Sequence, residues 1–114
     1  MEIKDKTVVG IIEDVTIFGP LKKINTQAKI DTGATKSSID LALADDLGLG
    51  PVLRTKIIRS AEGSSQRPIV SVKIKFAGKN ITEEFTIADR SKMRFPLLIG
   101  LNILVKGFII DPEK

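Results

Sequence analysis

Between Thr7 and Ile17 the chain is dense in β-branched residues, and Phe18-Gly19-Pro20 then breaks the run with a turn. Ile24, Thr26, Ala28 and Ile30 share one face at a spacing of two, the period of a half-buried strand. That strand runs straight into Asp31-Thr32-Gly33-Ala34. Ser37 or Ser38 followed by Ile39 to Leu47 predicts a short helix, N-capped by a serine or Asp40 and stopped by Gly48 or Gly50 before Pro51. Val52 to Ser60 and Ile69 to Phe76 predict two strands, joined by the polar, glycine-containing tip Ala61-Glu62-Gly63-Ser64-Ser65. After a turn at Ala77-Gly78-Lys79-Asn80 comes a further strand, Ile81 to Ala88. Phe95 to Gly100 is an apolar run too short for a helix. Leu101 to Val105 suits a short helical turn, and Gly107 to Asp111 a last strand. Many short strands with one or two short helices predict a mainly β, barrel-like fold.

Length and composition narrow this. At 114 residues the chain suits one domain spanning 1–114. Aromatic residues make up only 4%, with no Trp or Tyr, so Ile, Val and Leu must fill the core. Eighteen Lys and Arg against fourteen Asp and Glu give +4. An acidic peptide would be attracted by this balance. The charges are scattered, without a basic helix or an interleaved aromatic platform, so nucleic acid is not an expected partner. No segment is long enough to span a membrane and the first residues hold no apolar signal, so a cytoplasmic protein is expected. The sequence contains no Cys and no His. Ser-His and Cys-His catalysis are thereby excluded, along with the commonest zinc ligands. Only carboxylates remain as metal ligands, and these suit harder cations. Neither metal nor cofactor is expected.

Asp31-Thr32-Gly33 is the segment best placed to carry chemistry. A turn after a strand would use Asp and Gly equally well. Leu97-Leu98-Ile99-Gly100-Leu101-Asn102, on its own pattern, is a buried strand ending in a glycine turn. Together and in this order the two segments resemble the retroviral-type aspartic peptidases. In those enzymes an apolar strand enters Asp-Thr-Gly-Ala, a flap hairpin follows, and an apolar-apolar-Gly segment closes the barrel near the active loop. The similarity runs from about Thr7 to Asp111. The chain is most similar to the prokaryotic retropepsin-like family labelled "ATP-dependent zinc protease", through three ordered blocks: Ala28 to Ser38, Arg59 to Gly63 with Arg67-Pro68, and Ala88 to Gly100.

The resemblance implies a retropepsin-like closed barrel with Asp31 as the catalytic carboxylate and Thr32, Gly33 and Ala34 as its loop. It also implies a flap and substrate-binding segment at Arg59, Ser60, Ala61, Glu62, Gly63 and Arg67, and barrel closure at Ile99 and Gly100. Arg59 and Arg67 could grip substrate carboxylates or be ordinary solvated strand residues. Asp89 and Arg90 suit a local turn or salt bridge better than a second catalytic centre. The chain also departs from the family pattern. Leu101 stands where an Arg is common, and Thr35 where the viral enzymes have the Asp that pairs with it. Both partners are absent together, so no buried charge is orphaned. Asp40 lies near the place where family members usually carry a His.

One Asp-Thr-Gly supplies one carboxylate, whereas aspartic peptidases use two around a single water. The expected answer is a C2 homodimer with Asp31 of each copy at the axis. The resemblance gives Thr32 a bond across that axis and Gly33 a close approach of the two backbones. In the viral enzymes the terminal strands interleave, as Gly107 to Lys114 could do here. The resemblance implies a peptide or protein substrate and, through the family's association with ATP-grasp glutamate ligases, the possibility of glutamate-rich tails. The alternative is a non-catalytic module of the same fold, used for dimerisation or peptide binding.

Overall fold

The computed structural model describes residues 5–61 and 63–114. Its strands are β1 (Thr7–Val9), β2 (Ile12–Phe18), β3 (Lys23–Ile30), β4 (Ser37–Asp40), β5 (Arg54–Ser60), β6 (Gly63–Phe76), β7 (Lys79–Ala88), β8 (Leu97–Ile99) and β9 (Phe108–Ile110). Two short helices, α1 (Leu41–Leu47) and α2 (Leu101–Leu104), follow β4 and β8.

Six strands close on themselves in the order β2-β3-β8-β4-β7-β6, with β6 returning to pair with β2. Closure removes the open edges that a sheet otherwise leaves. β6 does two jobs. Its second half alternates buried Val70, Val72, Ile74 and Phe76 with exposed Ser71, Lys73 and Lys75, so one face fills the barrel. Its first half leaves the barrel and pairs with β5 from Ser60↔Gly63 to Arg54↔Ile69, forming a projecting hairpin. Val15, Ile17, Ala28, Ile39, Phe85, Leu97 and Ile99 complete the interior, and all are essentially inaccessible to solvent. Burial of each large side chain is worth ~1.5–3 kcal/mol, so an aliphatic core suffices without Trp or Tyr. Outside the barrel, β1 and β9 of the same chain pair in parallel, and the Phe108 ring packs 4.9 Å from that of Phe76.

The expected mainly β closed barrel with short helices is thus the fold, but several boundaries differ. The segment Ser37 to Asp40, assigned above to the start of a helix, is a strand. It pairs in parallel with β7 (Ile39↔Ile87) and antiparallel with β8 (Ile39↔Leu97). Two waiting edges and full burial of Ile39 outweigh the weak helical preference of four residues. The helix begins only at Leu41. Asp40 is its N-cap, but its side chain accepts from the Arg90 N–H at 2.7 Å rather than capping the helix. Gly48 ends the helix in the left-handed conformation (φ 72°), as its sequence position predicts. The long N-terminal run is divided at Gly10 and Ile11 into β1 and β2, and the hairpin tip is tighter than five residues, since Ser64 and Ser65 already belong to β6.

Candidate active site

β3 carries the chain from the barrel interior to Asp31, whose N–H donates to Ile99 O at 2.9 Å. β3 and β8 run parallel up to Ile30↔Ile99, so the Asp31 loop and the Gly100 turn leave the barrel side by side. The Asp31 side chain is half-exposed, and its Oδ1 accepts from the Gly33 N–H at 2.9 Å. That bond aims the carboxylate across its own turn. Asp and Gly at a spacing of two suit it, because Asp readily bonds the backbone two residues on. Thr32 and Gly33 are exposed beside it.

Gly100 is needed here for space. A Cβ on it would lie 2.5 Å from Lys36 O and 2.8 Å from Ala34 O. This close approach lets Leu101 N–H donate to Ala34 O at 2.8 Å and Asn102 N–H to Thr35 O at 3.2 Å, which stitches the loop to the start of α2. Asn102 supplies the remaining brace. Its Oδ1 accepts from Ser37 N–H (3.0 Å) and Ser37 Oγ (2.8 Å), and its Nδ2 donates to Glu84 O (2.9 Å). Ser37 Oγ in turn accepts from Gly100 N–H at 3.0 Å. A neutral network thus stands where the resemblance leads one to look for an ion pair between positions 35 and 101. Ser37 is fully buried, so satisfying it without charge avoids a large desolvation cost. Neither Ser37 nor Asn102 was singled out from sequence. The signal was present in Asn102 directly after Gly100-Leu101.

Two clefts flank the loop. One, of about 480 Å³, has Asp31, Lys29, Arg90, Phe95 and Leu98 in its wall. The other, of about 260 Å³, lies on the Gly33 to Lys36 side, under the hairpin, with Lys56, Ile58, Arg67 and Arg90 around it. The hairpin therefore stands over the loop, as a flap would. Along β5, Lys56 and Ile58 are half-buried while Ile57 and Arg59 are exposed. Arg67 therefore faces the cleft, and Arg59 points away from it. Of the two readings the sequence left open for Arg59, its exposure fits that of a solvated strand residue, and the period of two along β5 brings Lys56 to the cleft instead. Ala61 and Gly63 are exposed at the tip; Glu62, also named for the flap, lies outside the described residues.

Charges hold these parts together. Glu84 accepts a bidentate pair from Arg54 (2.9 and 2.5 Å) and a bond from Lys36 Nζ (2.7 Å). Hydrogen bonds from Arg54 and then Lys36 draw its carboxyl down from 4.5 to about 2. This links the base of the hairpin to the barrel and to the residue before Ser37. Asp89 makes a local turn through Ser91 N–H, as expected, and hydrogen bonding from the Ser91 side chain, then from its N–H, lowers the pKa of Asp89. Arg90 does more than its sequence position suggested. Its Nε donates to Phe95 O at 3.1 Å, and the residue lines both clefts. Burial lowers its pKa, helped by repulsion from Arg67, while Asp40 and Asp31 act in the opposite direction.

Residues 44–114, well over half the chain, match the family described as RimB-like, retropepsin-like aspartic endopeptidase RimB. The chain belongs to this family. The matched part of this RimB-like chain comprises most of α1, the β5–β6 hairpin, β7, β8 and Gly100; it begins after Asp31. The fold is similar to that of Lpg0085, a protein of unknown function from Legionella pneumophila (19% identity, 95% of both chains, TM-score 0.67). It is also similar to the protease of simian foamy virus, with 18% identity over 82% of this chain and 91% of that one, and a TM-score of 0.62. No curated protein matches the sequence significantly. Among the described residues no helix is long and apolar enough to cross a membrane.

Proposed function

We propose that this RimB-like chain is a homodimeric aspartic peptidase in which the Asp31 carboxylates of two copies activate one water. The observation that carries the reading is the loop itself. A half-exposed carboxylate is fixed by Gly33 N–H, on a loop fastened through Gly100 and Asn102, beneath a hairpin and between two clefts. Each chain offers a single Asp-Thr-Gly, and exposed Thr32 and Gly33 leave room for a second loop across a two-fold axis.

Two carboxylates at close range share one proton, because both cannot ionise together. The ionised one takes a proton from water as the water oxygen bonds to the scissile carbonyl carbon, and the protonated one gives its proton to the carbonyl oxygen. Collapse of the tetrahedral adduct returns a proton to the leaving nitrogen and breaks the C–N bond. The flap excludes bulk water during these steps.

The substrate class in this reading is an acidic or glutamate-rich peptide tail, with a functional link to an ATP-grasp glutamate ligase in the cytoplasm. Basic residues around the clefts support that choice electrostatically. Cleavage of a mixed peptide library, including glutamate-rich tails, by wild type and Asp31→Asn from acid to neutral pH tests the proposal. Loss of all cleavage in the variant, a bell-shaped pH profile and a steep rise of specific activity with protein concentration are expected. Cleavage by neither protein, with both still dimeric, would replace this reading by that of a non-catalytic peptide-binding module.

A further inference from the structure

β5 and β6 place Lys56 and Arg67 directly opposite one another on the cleft face of the hairpin. Like charges opposed across strands are destabilising, and neither side chain has an acidic partner among the described residues. Arg90 brings a third cation to the same cleft from the barrel side, close enough to Arg67 for the two to repel. Glu84, by contrast, is engaged by Arg54 and Lys36 and makes no bond to this group among the described residues. The cleft wall also holds an unpartnered polar group. Ser38 is 7% exposed, and its Oγ is buried without a hydrogen-bond partner among the described residues. Buried hydroxyls normally find one. Three gathered cations and an unused hydroxyl are the complement of a carboxylate, which accepts from guanidinium, ammonium and hydroxyl together.

Building on the peptidase reading above, we propose that the cleft beneath the hairpin is a carboxylate-binding subsite in which Lys56, Arg67, Arg90 and Ser38 hold an anionic group of the substrate. Lys56 and Arg67 ride on the flap, whereas Arg90 and Ser38 belong to the barrel. One bound carboxylate therefore bridges the two and relieves the repulsion on the hairpin. Specificity and flap closure are coupled through the same anion. The carboxylate comes from an acidic side chain or from a free C-terminus, and the chemistry that recognises it is shared.

The test uses the full chain carrying Asp31→Asn, so that binding is read without hydrolysis, whether or not the wild type cleaves. Acetylated tri-glutamate and tri-glutamine, each with a free or an amidated C-terminus, are titrated into ¹⁵N-labelled protein at low salt. Tri-glutamate is expected to shift the amides of Ser38, Lys56 and Arg67 in a saturable manner and to slow hydrogen exchange across β5 and β6. The added substitutions Lys56→Gln and Arg67→Gln should weaken it about tenfold or more, the scale of losing charge-assisted bonds. Thermal melting of that variant without peptide should be unchanged or higher, since a like-charge pair has gone, which shows that it is folded. Retained binding of amidated tri-glutamate assigns the site to acidic side chains; binding of both free acids but neither amide assigns it to the C-terminus. Equal affinity for all four peptides, no binding of any, or unchanged affinity in the variant overturns the proposal. Loss of cleavage in Asp31→Asn is scored separately, so the subsite and the peptidase reading can fail independently.

Discussion

Asn102→Ala tests whether an uncharged brace holds the Asp31 loop. The substitution removes the acceptor of Ser37 N–H and Ser37 Oγ and the donor to Glu84 O. Ser37 has no exposure to water, and its hydroxyl can turn to seek another acceptor, but its N–H cannot. A buried donor left unsatisfied costs ~1–3 kcal/mol, and the further hydrogen bonds contribute ~0.5–1.5 kcal/mol each. The expected loss is about 2–4 kcal/mol, or a fall of about 1–2 M in the urea midpoint at an ordinary m-value. Asn102→Asp is the sharper companion. It preserves the acceptor for Ser37 but replaces the donor with a carboxylate oxygen facing Glu84 O. Ionised, this variant should be the worse of the two; protonated at low pH, the carboxyl can donate again and recover part of the loss. Urea melts by circular dichroism at neutral and acid pH measure both. A midpoint for Asn102→Ala within about 0.3 M of wild type, on the same m-value scale, would show that the network carries no load. A pH-independent deficit in Asn102→Asp would refute the donor role assigned to Nδ2.

Two further outcomes follow from the same geometry. Gly100→Ala drives a Cβ into Lys36 O and Ala34 O, both backbone atoms that cannot swing aside. It should cost ~1–3 kcal/mol or more as overpacking and abolish cleavage even where folding survives; melts and assays matching wild type would disprove the close approach. Glu84 has a folded-state pKa of about 2, below its ordinary 4.5, so its contribution to stability is present above about pH 4.5 and is lost as pH falls toward 2. Glu84→Gln should therefore be less stable than wild type at neutral pH, by an amount that shrinks with added salt and has mostly gone by about pH 2. A gap that persists undiminished at pH 2 would assign the effect to packing rather than to charge.

Alternation and punctuation decided much of this protein in advance. The spacing of Ile24, Thr26, Ala28 and Ile30 places a strand, Gly48 before Pro51 stops a helix, and Gly78 sits in a turn, because each rule acts between near neighbours. The Asp-Thr-Gly loop was legible for the same reason: its Asp31 to Gly33 bond closes within three residues. Other features depend on residues distant in the chain. Ser37 to Asp40 has too little pattern of its own to choose between helix and strand; the edges of β7 and β8 choose for it. Gly100 looks like an ordinary turn residue until the chain near Lys36 is packed against it. Lys56 meets Arg67, and Arg90 approaches Asp31, only because the hairpin folds over a barrel whose strands β3 and β8 end side by side. Local sequence sets dihedral preference and periodicity; a site made by several strands exists only after closure fixes which of their ends meet.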